Sequence, residues 1–326
     1  MTEPTLNPIT VVYSDDYLDW QLENGVTDPM RAKISTDHLV DEGGEAVTVL
    51  DPNDIPVDEV RAAIETVHTL DYAAQVIDDG ISVEFPRVSS RLGDVAQLMF
   101  AGTAVAVREV LAGNTRFAFN PQGAKHHAKV ENGSGFCVFN DMVWAALHME
   151  GMGRRPLYLD WDVHAGDGVQ EMLSGSSVPT LSIHQGSIFP RDPRTQDRAL
   201  ADAGVRHTHH NPEKAFYNWN LERNAGDEAF RWAIDEAIEL IRDYKPDTLL
   251  LAIGADGHGG QALGTAGTNY TYAGFDYAAS RVREIADELG VTGIVMGGAG
   301  GYQPLTHTPR IWANVVKRIA TGAIPS

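Results

Sequence analysis

The stretch DWDVHAGDG, Asp160 to Gly168, decides how the chain is read. It carries carboxylates at Asp160, Asp162 and Asp167 and an imidazole at His164. The preceding RPLYLD is apolar and follows the turn signal GMGRR, so it reads as a buried strand. Alternate strand residues share a face, so Asp162 and His164 point the same way at the strand's C-terminal end. A carboxylate beside a neutral imidazole supplies two corners of a divalent-metal site, with zinc or ferrous iron as the fitting ions.

Three further polar clusters fall at strand ends. They are His126-His127 in FNPQGAKHHA, Asp256 in LLLAIGADGHGG, and Tyr302 in GIVMGGAGGYQPL. In an open parallel sheet, ligands bind beyond the carboxyl ends of the strands, so four such clusters at one edge imply one active site.

Strand and helix patterns alternate along the chain. Strands are predicted at ITVVYS, RFAFN, PLYLDWD, VPTLSIH, TLLLAIG and GIVMGG. Helices are predicted over Val57–His68, Leu70–Asp78, Asp94–Leu111, Asp141–Glu150 and Val169–Leu173, with a long one ending near Tyr244. Two more follow over Tyr277–Leu289 and Ile311–Thr321. This order predicts an α/β fold, a single mainly parallel sheet with helices on both faces. No repeat or low-complexity linker interrupts it, so the expectation is one domain over residues 1–326. His184 to Asn220 reads as a long functional loop. Its HTHH, His207 to His210, lacks a carboxylate partner and reads as solvated loop rather than metal site.

Composition narrows the function. A formal net charge of −20 in 326 residues argues against nucleic-acid binding, which needs clustered Lys and Arg. It is compatible with cationic substrates, although a generally acidic surface is the simpler reading. No run of about 18 apolar residues exists and the first residues lack a leader pattern, so no membrane role and a cytoplasmic location are expected. The one cysteine, Cys137, lies between apolar residues and reads as a packing thiol.

HHA, GFCVFND, DWDVHAGDG, LSIH, GADGHGG and GGAGGY stand in this order along the chain. The series resembles the zinc-dependent histone deacetylase superfamily, especially its bacterial acetoin-utilisation-type members and related amidohydrolases. The resemblance runs from about Val11 to the end and implies an arginase-like α/β fold. It implies metal ligands Asp162, His164 and Asp256, catalytic histidines His126 and His127, and orienting carboxylates Asp160 for His126 and Asp167 for His127. Tyr302 matches the tyrosine that faces the scissile carbonyl. A structural potassium or sodium site is implied at Asp160, Asp162, His164, Ser182 and Ile183. Phe136 and Phe189, with Gly135 and Gly300 beside them, match the walls that grip an acyl-lysine chain. Arg31 matches the arginine of an internal acetate channel.

Three departures stand out. Ala165 replaces a second histidine common in the family, and Gln261-Ala262-Leu263 replaces Asp-Pro-Leu after the third ligand. The loop Arg87–Asp94 does not reproduce the acidic residue that holds a peptide backbone, which weakens the implication of protein substrates. The expected activity is metal-dependent hydrolysis of an N-acetyl amine, either acetyl-lysine or an acetylated polyamine or metabolite. A two-manganese ureohydrolase fits less well, because the order of residues in DWDVHAGDG is wrong for bridging two ions. A metal-free binding module would not need all three ligands, both histidines and the tyrosine. A homo-oligomer is left open.

Overall fold

The structure is a computed structural model that describes residues 6–20, 26–82, 84–85, 91–260 and 266–321. Gln261-Ala262-Leu263 and residues 87–90 of the Arg87–Asp94 loop lie outside the described residues. The strands are β1 (Ile9–Val12), β2 (Val47–Leu50), β3 (Phe117–Asn120), β4 (Pro156–Asp160), β5 (Thr180–Gln185), β6 (His207–Thr208), β7 (Phe216–Leu221), β8 (Thr248–Ile253) and β9 (Gly293–Gly298). They form one nine-stranded sheet in the order β2-β1-β3-β9-β8-β4-β5-β7-β6. Every pairing is parallel except β6 with β7.

The helices are α1 (Met30–Gly43), α2 (Val57–Glu65), α3 (Leu70–Ile77), α4 (Leu92–Leu111), α5 (Asp141–Gly151), α6 (Asp167–Met172), α7 (Arg198–Asp202), α8 (Asp227–Tyr244), α9 (Tyr272–Glu288) and α10 (His307–Thr321). The buried strand β8 shows how they sort. Leu249, Leu251 and Ile253 join one core with α1, α8, α9 and α10, while Leu250 and Ala252 join another with α2, α3, α4 and α5. Period-two alternation thus gives each side of the sheet its own layer of helices, as predicted. No helix among the described residues is long and apolar enough to cross a membrane.

The differences from expectation have local causes. Helix α1 buries Ala32, Ser35, Thr36 and Leu39, a face of small and polar side chains that hydrophobic periodicity does not reveal. Strand β7 lies within the stretch read as loop because it alternates aromatics with asparagines. Its Asn218 is buried against Gln170, and Asn220 against His184 and Thr195. Helix α9 begins five residues early because the Thr271 side chain caps it, accepting from Ala273 N.

HTHH is only in part the solvated loop expected, with Thr208 and His210 exposed. His207 is buried in β6 and the His210 ring packs 4.9 Å from Trp219, so half of it is edge packing. Strand β4 stops at Asp160, so Asp162 and His164 stand on the following loop rather than on the strand.

The strand order positions the site. The chain leaves β3 and re-enters the sheet three positions away at β4, and the later strands β8 and β9 fill the two places between them. The four central strands β3, β9, β8 and β4 therefore end side by side, where an α/β sheet reverses its order.

Candidate active site

The loop after β4 is held by its own carboxylates. Asp162 N donates to Asp160 Oδ1 at 2.9 Å, and His164 N donates to Asp162 Oδ1 at 2.9 Å. Such hydrogen bonds from an aspartate to the amide two residues on fold a loop without a sheet partner. Val163 N donates to Asp256 Oδ1 at 3.0 Å, which ties this loop to the one after β8. As a result His164 Nδ1 lies 3.1 Å from both Asp162 Oδ1 and Asp256 Oδ2.

All three side chains are buried, and one ligand atom from each lies within 4.8 Å of the others. Among the described residues no second set of three such groups comes this close. Two buried carboxylates around one imidazole need a positive charge between them. Burial and then the Asp162 charge push the Asp256 carboxyl up. Burial opposes charge on His164, but its bonds to Asp162 and Asp256 raise it to about 10. The donor set and its unmet charge fit a divalent cation, with ligand positions left for water and substrate.

Gly300 makes this cluster sterically attainable. A Cβ there would strike Asp256 Oδ2 and lie 2.5 Å from Asp162 Oδ2, whereas the glycine donates its N–H to Asp162 Oδ2 at 2.5 Å.

The tandem histidines follow β3. Asp141, at the start of α5, accepts from Ala124 N at 2.9 Å, Lys125 N at 2.7 Å and Thr103 Oγ1 at 2.5 Å, which fixes the loop leading to them. Val169 N in the first turn of α6 donates to His126 O at 3.1 Å. His126 Nδ1 is 2.7 Å from Asp160 Oδ2, and His127 Nδ1 is 2.8 Å from Asp167 Oδ1. Tyr158 also donates to Asp160 Oδ2, at 2.7 Å.

The two rings, 3.9 Å apart, differ in charge. Burial lowers both, but Asp160 and Asp162 lift His126 to about 9. Burial and the His126 charge hold His127 down at about 4. Neighbouring groups whose environments push their pKa values apart mark a division between a charged and a neutral role.

Tyr302, half-buried, lines one cavity with Arg31, His126, His127, Phe136 and Asp162. Burial, then Asp256 and Asp162, push its phenol well above the ordinary range, so it stays a donor. Phe136 stands on a tight turn in which Ser134 and Cys137 exchange backbone hydrogen bonds at 3.0 and 2.8 Å. Both central residues of that turn have positive φ, +52° at Gly135 and +66° at Phe136. A Cβ at Gly135 would overlap the His127 ring and lie 2.9 Å from Phe189. Phe189 is exposed and packs its ring 4.9 Å from His127.

Arg31 is buried, with Nη1 donating to Gly301 O at 2.8 Å. Ser182 is paired in register with Asp160 on the neighbouring strand, and its Oγ lies 2.9 Å from His184 Nδ1. Ile183 follows it, buried in the core. Cys137 is a buried free thiol, as expected. A roomier groove lined by Pro52, Val60, Arg91 and Leu98 among others shares no residue with the cavity and gathers no comparable set.

Sequence reasoning missed Asp141, Asn140 and His68, which support the site rather than face it. Asn140 Nδ2 donates to Ala128 O at 2.9 Å, and His68 Nε2 accepts from Asn140 N at 2.9 Å. The available signal was a pair of polar residues, Asn140-Asp141, inside an otherwise apolar run.

Comparison with known proteins agrees with this geometry. The histone deacetylase domain model matches residues 26–319. Histone deacetylase 8 of Xenopus tropicalis is 30% identical over 262 residues, which cover 77% of this chain and 65% of that protein. Acetoin utilization protein AcuC of Staphylococcus aureus (strain MRSA252) is 27% identical over 342 residues, 98% of this chain and 84% of the relative. AcuC of Bacillus subtilis (strain 168) is 30% identical over 241 residues, 72% of this chain and 59% of the relative. The domain match spans all four strand ends that build the site, and the chain belongs to the histone deacetylase domain family.

Proposed function

We propose that this protein hydrolyses an N-acetyl amide, acetyl-lysine or a similar acetylated amine, to acetate and the free amine. The observation that carries the reading is the meeting, in one cavity, of a buried Asp-His-Asp cluster, two carboxylate-anchored histidines and a tyrosine. Asp162, His164 and Asp256 would hold a divalent ion, zinc or alternatively ferrous iron. Bound there, such an ion supplies Lewis acidity toward the carbonyl and toward water.

The remaining steps belong to the chain. With its Nδ1–H donated to Asp167, His127 keeps a lone pair on Nε2 and can take a proton from the attacking water. It then returns that proton to the departing amine, which is a poor leaving group until protonated. His126, held cationic against Asp160, balances negative charge at the reacting centre. Tyr302 donates to the tetrahedral oxygen, a contribution of about 3–4 kcal/mol for one such donor. Phe136 and Phe189 would flank the linear chain of the substrate, and Arg31 would receive the acetate.

A structural potassium or sodium ion near Asp160 and Ser182 belongs to the same proposal. It is supported by the register of β4 and β5, which places both residues at one level.

Screening the metal-loaded protein against acetyl-lysine peptides, acetylated polyamines and small acetamides tests the reading and separates its substrate classes. Release of acetate from none of them would overturn it. Metal analysis separates the alternatives: one transition-metal ion per chain supports the hydrolase, two a ureohydrolase, and none a binding module.

A further inference from the structure

The inner wall of the cavity carries more positive charge than an acetyl group uses. Arg31 and Lys125 both line it, and both are more than nine-tenths buried. Arg31 donates one bond to a neutral carbonyl, Gly301 O, and among the described residues its Nε has no acceptor. The Lys125 ammonium has neither a hydrogen bond nor an ion pair among the described residues; only its backbone N–H is engaged, with Asp141. That carboxylate is committed to Thr103, Ala124 N and Lys125 N, so it compensates Lys125 only at a distance.

Holding an ammonium away from water with no hydrogen-bonding partner is costly, and the Asp162 carboxylate in the same lining is engaged by Gly300 N and His164. Burial and the Arg31 charge accordingly lower the Lys125 ammonium to about 8. The methyl of an acetyl group gains nothing from two such neighbours, whereas a carboxylate would pair with both. Guanidinium binds it through paired N–H donors and ammonium as a point charge.

We propose that Lys125, with Arg31, selects an acyl group ending in a second carboxylate, so that the preferred substrates are short dicarboxylic amides such as N-malonyl or N-succinyl amines. The inference rests on the hydrolase reading above and names its acyl class. The acyl carbon sits toward Asp162, Gly300 and Tyr302, and the distal carboxylate reaches Arg31 and Lys125 across the same cavity. The reaction remains hydrolysis. The water oxygen bonds to the carbonyl carbon, the C–N bond breaks with its electron pair going to nitrogen, and nitrogen takes a proton. The products are a dicarboxylate and the free amine.

Two measurements test this. In calorimetry on the metal-free full chain, where no ion can take the probe, malonate should bind at least ten times more tightly than acetate. In the Lys125→Met variant that preference should disappear. On metal-loaded protein, the ratio of kcat/KM for N-malonyl-lysine to that for N-acetyl-lysine peptides should exceed one. Lys125→Met should lower that ratio at least tenfold. The wild-type comparison of malonate with acetate needs no variant and decides alone if Lys125→Met fails to fold. Equal binding of malonate and acetate, or a preference that survives Lys125→Met, overturns the proposal and leaves the two cations as a site for the acetate product. A malonate preference without hydrolysis of any amide would sustain the carboxylate site and sink the hydrolase reading instead.

Discussion

His127 Nδ1 lies 2.8 Å from Asp167 Oδ1, and the other oxygen of that carboxylate lies 3.1 Å from Lys129 Nζ. Burial would raise the Asp167 carboxyl, but its bond to His127 and the Lys129 charge hold it below the usual range. Asp167 is therefore ionised, and an ionised acceptor at Nδ1 fixes the tautomer that leaves Nε2 free.

His127→Ala should retain bound metal and lose at least about 100-fold in kcat, the scale of a lost acid–base group. Asp167→Asn should also lower kcat with metal retained, because the amide can donate to Nδ1 and favour the wrong tautomer. Steady-state rates with elemental analysis of the same samples check both. A His127→Ala enzyme at full rate would move the proton-transfer role elsewhere.

Metal retention should depend on Asp256 and on the space beside it. Asp256→Ala removes one of the three proposed ligands and should weaken zinc binding beyond the roughly 10- to 100-fold that loss of a ligand's supporting partner costs. Gly300→Ala removes no ligand, yet its methyl would intrude on both carboxylates, so it too should lose metal. Competition with a chromogenic chelator measures both affinities; wild-type affinity in Asp256→Ala would refute the ligand assignment.

Tyr302→Phe should leave folding and metal content intact and lower kcat by about 100- to 1,000-fold. KM should change much less, since the deleted hydrogen bond strengthens in the transition state. A Tyr302→Phe protein with undiminished kcat would remove the hydroxyl from the mechanism.

Acid should loosen the loop that carries the tandem histidines, through His68. Its Nδ1 lies 2.9 Å from Lys129 O and its Nε2 accepts from Asn140 N, so a second proton would set Nε2–H against an amide N–H. Burial outweighs the carbonyls of Val130 and Lys129 and lowers the imidazole to about 4. The unfolded value is near 6.5, so the stabilisation is present in full above that pH and is lost as pH falls from about 6.5 to 4. The linked change is about 3 kcal/mol. Urea unfolding at pH 7 and pH 4.5 should show this loss, and His68→Gln should flatten the difference. An unchanged slope in His68→Gln would assign the acid sensitivity to other groups.

Local sequence determined much of this protein. Leu249 to Ile253 and Leu157 to Leu159 are apolar on both faces, which only a doubly covered sheet satisfies, so parallel α/β architecture was legible from runs of a few residues. The clusters at Asp160–Gly168, His126-His127, Asp256 and Tyr302 were legible for a related reason. Each follows an apolar strand directly, and strand ends converge in such folds.

What tertiary structure alone decided are relations between residues far apart in sequence. Asp141 fixes the backbone before His126, and Asn218 and Asn220 make β7 an interior strand by finding partners on other elements. The Lys125 ammonium looks like an ordinary surface charge beside two histidines until the fold buries it with Arg31. The physical reason is the same in each case. A polar side chain's cost or value depends on which partners the fold brings to it, and a one-dimensional pattern records the side chain without the partner.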